Sequence, residues 1–249
     1  MGLIIKSASA FAFPSDFLWH RIQKHSVKAI AFDAFTLFDT ASVVKTAEQL
    51  FPGKTNALMT LWRNRQFEYT WLRGLSKQYK DFWLVTEDAL KYATTSLQLD
   101  LTAEKKDRMM QALLEMHFVP DAAASLNKLK QLSLKLAILS NATYEMLEAG
   151  IKNSGLQTMF DFVISTDNIK TYKPDPSAYQ LAIDAFKLSK EEIMFVAFGG
   201  WDAAGAKSFG YPTVWINTSG LPIEQLGSEP DFICGDMNQL VSYVTKVVG

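Results

Sequence analysis

Cysteine is nearly absent from this 249-residue sequence, histidine is scarce, and no long apolar run occurs. The single cysteine, Cys234, cannot close an internal disulfide, and with only three histidines no Cys/His set has zinc-site spacing. A reducing, cytoplasmic setting is the expectation. No run approaches the roughly 20 apolar residues that span a bilayer. An excess of positive charge is also missing: 25 Lys and Arg stand against 26 Asp and Glu, a formal net charge of −1. That excludes a strongly basic surface for nucleic acid or anionic lipid. Charged residues make up 20% and apolar residues 48%, enough to build a buried core and too apolar for a disordered chain.

At the N-terminus, Lys6 interrupts the apolar Leu3-Ile4-Ile5, which makes a poor secretory segment, and it stands where a myristoylation signal wants Ser or Thr. Residues 1–25 are expected to form an extension.

Short, continuously apolar runs predict strands buried on both faces, as in a parallel sheet: Val27–Phe32, Leu134–Leu139, Phe160–Ile164, Ile193–Phe198, Thr213–Ile216 and Phe232–Cys234. Helical patterns alternate with them, at Ala122–Leu132, Tyr144–Asn153, Ser177–Lys187, Ala203–Phe209 and Asn238–Val247. The combination implies an α/β fold with a Rossmann-like parallel-sheet core. From Ala41 to His117 the pattern is helical throughout, clearest at Asn56–Arg73, Asp81–Leu97 and Leu101–His117. The expected organisation is a core of residues 26–40 and 118–249 with an inserted all-helical cap domain, 41–117.

In parallel sheets ligands bind beyond the carboxyl ends of the strands. Asp33 follows the first strand and Ser140-Asn141 the second. Lys173 comes in after the third, and Gly199-Gly200-Trp201-Asp202 ends the fourth. These four segments should converge. An aspartate at a strand end is ordinarily a helix or turn cap. It serves as a nucleophile only if a cation keeps it ionised, and Lys173 and Arg63 are the candidate cations. Ser140-Asn141 reads equally as an N-cap or as an anion-holding helix start. Lys173 precedes Pro174 and so lies in extended backbone. The stretch Gly199–Ser208 falls short of a phosphate loop, because Ala206 occupies the lysine position.

In order along the chain, Phe32-Asp33-Ala34-Phe35-Thr36-Leu37-Phe38-Asp39, Leu139-Ser140-Asn141, Tyr172-Lys173-Pro174-Asp175 and Asp202 resemble the four motifs of the haloacid dehalogenase superfamily. Within the helical block, Leu61-Trp62-Arg63 through Leu72-Arg73 resembles the signature of the L-2-haloacid dehalogenases, as does Trp201 to Gly210. The resemblance implies that Asp33 displaces halide from C2 of an L-2-haloacid, and that water then releases a D-2-hydroxy acid from the ester. It implies roles for Arg63 with Asn141 at the leaving halide, for Ser140 at the substrate carboxylate, and for Lys173 beside Asp33. Asp202 would orient water or Lys173, and Thr36 would hydrogen-bond Asp33. Phe35, Phe67, Phe82, Tyr179 and Trp201 would line the substrate pocket. No cofactor or metal is implied, and a homodimer is expected, with Trp62, Tyr69, Trp71 and Leu72 covering more than one helix face.

The superfamily's phosphatases use an acid two residues after the nucleophile and a further aspartate four before the position of Asp202. Here those positions are Phe35 and Phe198, which disfavours the phosphatase reading. A carboxylate-binding relative with little turnover is the other alternative. It is motivated by the first two of three departures from the dehalogenase pattern. A glycine is missing between Phe35 and Thr36, Gly199 replaces an asparagine, and Ala197 replaces a serine.

Overall fold

The computed structural model describes residues 27–248. The extension 1–25 and the readings placed on it lie outside those residues. In chain order the elements are β1 (Ala29–Phe32), β2 (Phe38–Asp39), α1 (Ala41–Leu50), α2 (Thr55–Leu75), α3 (Phe82–Ser96), α4 (Ala103–Leu114), β3 (His117–Phe118), α5 (Ala122–Gln131), β4 (Lys135–Ser140) and α6 (Tyr144–Asn153). They continue with β5 (Phe162–Ser165), α7 (Pro176–Phe186), β6 (Ile193–Ala197), α8 (Gly200–Phe209), β7 (Thr213–Ile216), β8 (Phe232–Cys234) and α9 (Met237–Val248).

Six strands form one parallel sheet in the order β5-β4-β1-β6-β7-β8. The four residues of β1 and the five of β6 are buried throughout, which is why these strands carry no alternating pattern. One face packs Ile30, Phe32, Leu136 and Ile138 into a core shared with the helical block. The other packs Ala31, Leu139 and Phe195 against Tyr179 and Tyr211. Helix starts are set by polar residues. Asp81 accepts from Leu84 N, Thr102 from Lys105 N, and Asp175, just ahead of Pro176, from Ser177 N.

The helical block is joined by α2 and α3. Leu58, Trp62, Gln66 and Thr70 form the buried stripe of α2, and Trp62 Nε1 donates to Thr86 O at 2.8 Å across to α3. One residue further round the helix, about 100° away, Arg63 and Phe67 are turned toward the end of the sheet.

Two readings are corrected. The last helix of the block ends at Leu114, and His117, expected inside it, is in β3, which pairs antiparallel with β2. Two-residue strands are too short to show a period. Helix α8 begins at Gly200, three residues before the expected Ala203, so Asp202 belongs to its first turn.

Candidate active site

Asp33 follows β1 directly and is held between strands by its backbone N–H, which donates to Val196 O at 2.9 Å. A single 3-10 turn, Ala34–Thr36, carries the chain away. Thr36 does not reach the carboxylate. Its hydroxyl donates to the main-chain carbonyl of Asp33 at 2.6 Å, so Thr36 fixes the turn and leaves the carboxylate free.

Lys173 is 1% exposed, and its Nζ lies 2.6 Å from Asp202 Oδ2 and 3.4 Å from Asp33 Oδ1. Its backbone is placed by Asn141, whose Oδ1 accepts from Lys173 N at 2.8 Å and from Thr166 Oγ1 at 3.2 Å. One amide thus ties the end of β4 to the lysine loop and to the turn after β5. Asn141 was expected beside the halide. With Oδ1 engaged twice, its Nδ2 is the group left to face the chamber. Ser140 accepts from Ala142 N at 3.2 Å and keeps its own proton to donate.

Asp202 is fully buried, at the favourable N-terminal end of α8. Burial raises its carboxyl to about 6, against the pull of Lys173. Burial alone would lower the lysine, but Asp202 and Asp33 together hold its ammonium above the ordinary value. The three groups therefore form a buried carboxylate–ammonium–carboxylate array whose excess negative charge falls on Asp33 and Asp202.

Tyr179, expected to line the substrate pocket, is fully buried and lines none of the cavities on which Asp33 opens. Its hydroxyl donates to Asp202 Oδ1 at 2.7 Å, so it positions the carboxylate from behind. Gly205 makes room for it, since a Cβ there would stand 2.6 Å from the tyrosine hydroxyl.

Asp33, Ser140, Asn141 and Lys173 meet in a chamber of about 10 Å³, walled by Phe35, Phe67, Phe82 and Trp201. Asp33 also opens on a cavity of about 430 Å³ that holds Arg63. The guanidinium lies 4.5 Å from the Phe198 ring centroid and 5.7 Å from that of Phe67. It has no carboxylate within salt-bridge distance among the described residues. Burial lowers its pKa while the charge of Asp33 opposes the shift. A cation so placed and lacking a close counter-ion is a receptor for an anion. Phe198, read from the sequence only as a missing acid, forms the floor beneath it. Thr166 was not foreseen, because a threonine after a strand carries no distinguishing signal.

Comparison with known proteins follows the same lines. The family model of the haloacid dehalogenase-like hydrolases matches residues 27–210. The (S)-2-haloacid dehalogenase of Pseudomonas sp. strain YL is 40% identical over 224 residues, 90% of this chain and 97% of that protein. The crystal structure of the L-2-haloacid dehalogenase RSc1362 superposes with a TM-score of 0.87 at 43% identity, covering 88% of this chain and 99% of that one. The L-2-haloacid dehalogenase from Xanthobacter autotrophicus with chloropropionic acid covalently bound gives 0.80 at 35% identity, over 88% and 98% of the two chains. The chain belongs to the haloacid dehalogenase-like hydrolases and, within them, stands among the L-2-haloacid dehalogenases.

Proposed function

We propose that the protein hydrolyses L-2-haloacids to D-2-hydroxy acids through an ester on Asp33. The observation that carries this is the Lys173 ammonium between Asp33 and Asp202 in a buried, aromatic-walled chamber, with Arg63 free to take an anion nearby. An Asp33 carboxylate oxygen attacks C2, the carbon–halogen bond breaks with its electron pair, and C2 inverts. Water then attacks the Asp33 carboxyl carbon, and the acyl–oxygen bond breaks to release the alcohol. Ser140 and the Asn141 amide N–H hold the substrate carboxylate, Arg63 receives the halide, and Asp202 holds Lys173 beside Asp33, while the water's proton passes to the departing alkoxide. A halide needs no acid to leave, in keeping with Phe35 two residues after the nucleophile.

The reading requires no metal. Lys173 already supplies the cation between the two carboxylates, and Phe198 offers no oxygen ligand. The helical block 41–117 acts as the cap domain, contributing Arg63 and Phe67. A cytoplasmic setting fits the single, buried Cys234. Of the residues expected at a dimer contact, Trp62 is turned inward and Trp71 stacks on Phe67. Leu72 at 57% exposure and Leu75 at 85% remain on the outer face of α2, and we assign the homodimer contact there.

The test is halide release from L-2-chloropropionate with and without a chelator. Release at an unchanged rate supports the reading, and no release, or release lost on chelation, refutes it.

A further inference from the structure

From the two cavities at Asp33 we infer that the enzyme takes 2-haloacids with a long alkyl or aryl substituent at C2, lodged in the larger cavity. The inference rests on the proposed reaction. The small chamber, about 10 Å³, has room for about one water. That is too little for an alkyl chain, so a long substituent has to extend out of the chamber. The larger cavity, about 430 Å³, opens from Asp33 itself.

Its aromatic wall is already locked. Phe67 stacks on Trp71 at 6.1 Å, and both meet Trp201 edge-on, at 5.3 and 5.5 Å. At Gly199 a Cβ would stand 2.8 Å from Trp201 Nε1, so the absence of a side chain lets the indole lie against the strand end instead of across the cavity. The far wall, the loop after β7, is stapled by Asn217, which donates to Leu221 O at 2.8 Å and accepts from Leu221 N at 2.9 Å. A preformed apolar wall keeps most of the gain from burying a chain.

The experiment measures kcat/KM for bromide release from 2-bromopropionate and 2-bromohexanoate. Each methylene moved out of water favours binding by about fourfold, so three give at most about sixtyfold. The hexanoate should equal or exceed the propionate, and Thr218→Trp, on the exposed far wall, should lower the hexanoate-to-propionate ratio. A hexanoate value below that of the propionate overturns the inference and leaves the reaction standing, as does an unchanged ratio in Thr218→Trp. Bromide from neither overturns both.

Discussion

Replacing Lys173 by methionine tests the core of the site. The ammonium lies 2.6 Å from one carboxylate and 3.4 Å from the other, and the group is 1% exposed. At an effective dielectric of about 20 those separations correspond to roughly 6 and 5 kcal/mol of attraction, most of which offsets the cost of desolvating three charges. Methionine fills similar volume but leaves two carboxylates facing each other without a counter-charge. Removing one partner of a buried ion pair costs about 3–5 kcal/mol. In a chain of this size each kcal/mol lowers Tm by about 2–4 °C, so the variant should melt about 6–20 °C lower near pH 7.

The pH dependence has a definite sign. In the parent, the raised lysine contributes stability that is fully present below its ordinary pKa, so the parent keeps this contribution near pH 7. In the variant Asp202, already raised by burial, loses the opposing pull of Lys173 and rises further. Its contribution is present below about pH 4 and lost as pH rises through the folded value. The deficit should therefore narrow as pH falls toward about 5. Lys173→Met/Asp202→Asn, with one charge fewer, should recover part of it. Thermal melts across pH provide the readout. A Tm within about 2 °C of the parent near pH 7, or a deficit that does not shrink on acidification, would refute the reasoning.

Arg63→Ala should slow halide release in a single turnover by about a hundredfold, on the order of 3 kcal/mol, with the fold unchanged by circular dichroism; unchanged release would remove Arg63 from the leaving-group role. With Gly199 offering only backbone groups to the attacking water and Ala197 buried in the core, ester hydrolysis should be slow. Mixing with L-2-chloropropionate followed by intact-protein mass spectrometry should then show a decaying adduct on Asp33 and a halide burst; steady turnover without either contradicts this. Burial raises Asp202 to about 6, and the site uses it ionised, so kcat/KM should decline as pH falls below about 6; a flat profile to pH about 4.5 argues against that use. Light scattering at micromolar concentration should give the dimer mass, lowered in Leu72→Glu/Leu75→Glu.

The parallel sheet was legible because strands covered on both faces read as continuous apolar runs, and in such sheets polar residues at strand ends point to one place. Asp33, Lys173 and Asp202 came out of that rule with no contact information. What stayed hidden depended on rotation about a helix axis or on very short elements. Tyr179 on α7 could face the pocket or the interior, and the phase of α7 turns it inward to Asp202. The β2–β3 ribbon is too brief to have a period. Thr36 is in the expected place, yet its hydroxyl goes to a carbonyl that no side-chain pattern reveals. Phe198 read only as an absent metal-site aspartate, but its ring is what the Arg63 guanidinium rests upon.

Asn141 holds two chain segments with one oxygen, and those segments carry Lys173 and the turn after β5. Asp33, Lys173 and Asp202 are thus braced mainly by the sheet and its own loops, with Tyr79 and Lys80 touching that brace at Asp167 and Tyr172, while Arg63 and Phe67 arrive on α2 from outside it. Substitutions accumulating on α2 can retune which halide departs and which chain is admitted without moving the nucleophile. A drift in the Asn141 bracket would shift all three charged groups at once. Exchanging the helical block between relatives should transfer preference while leaving the bond-breaking apparatus behind.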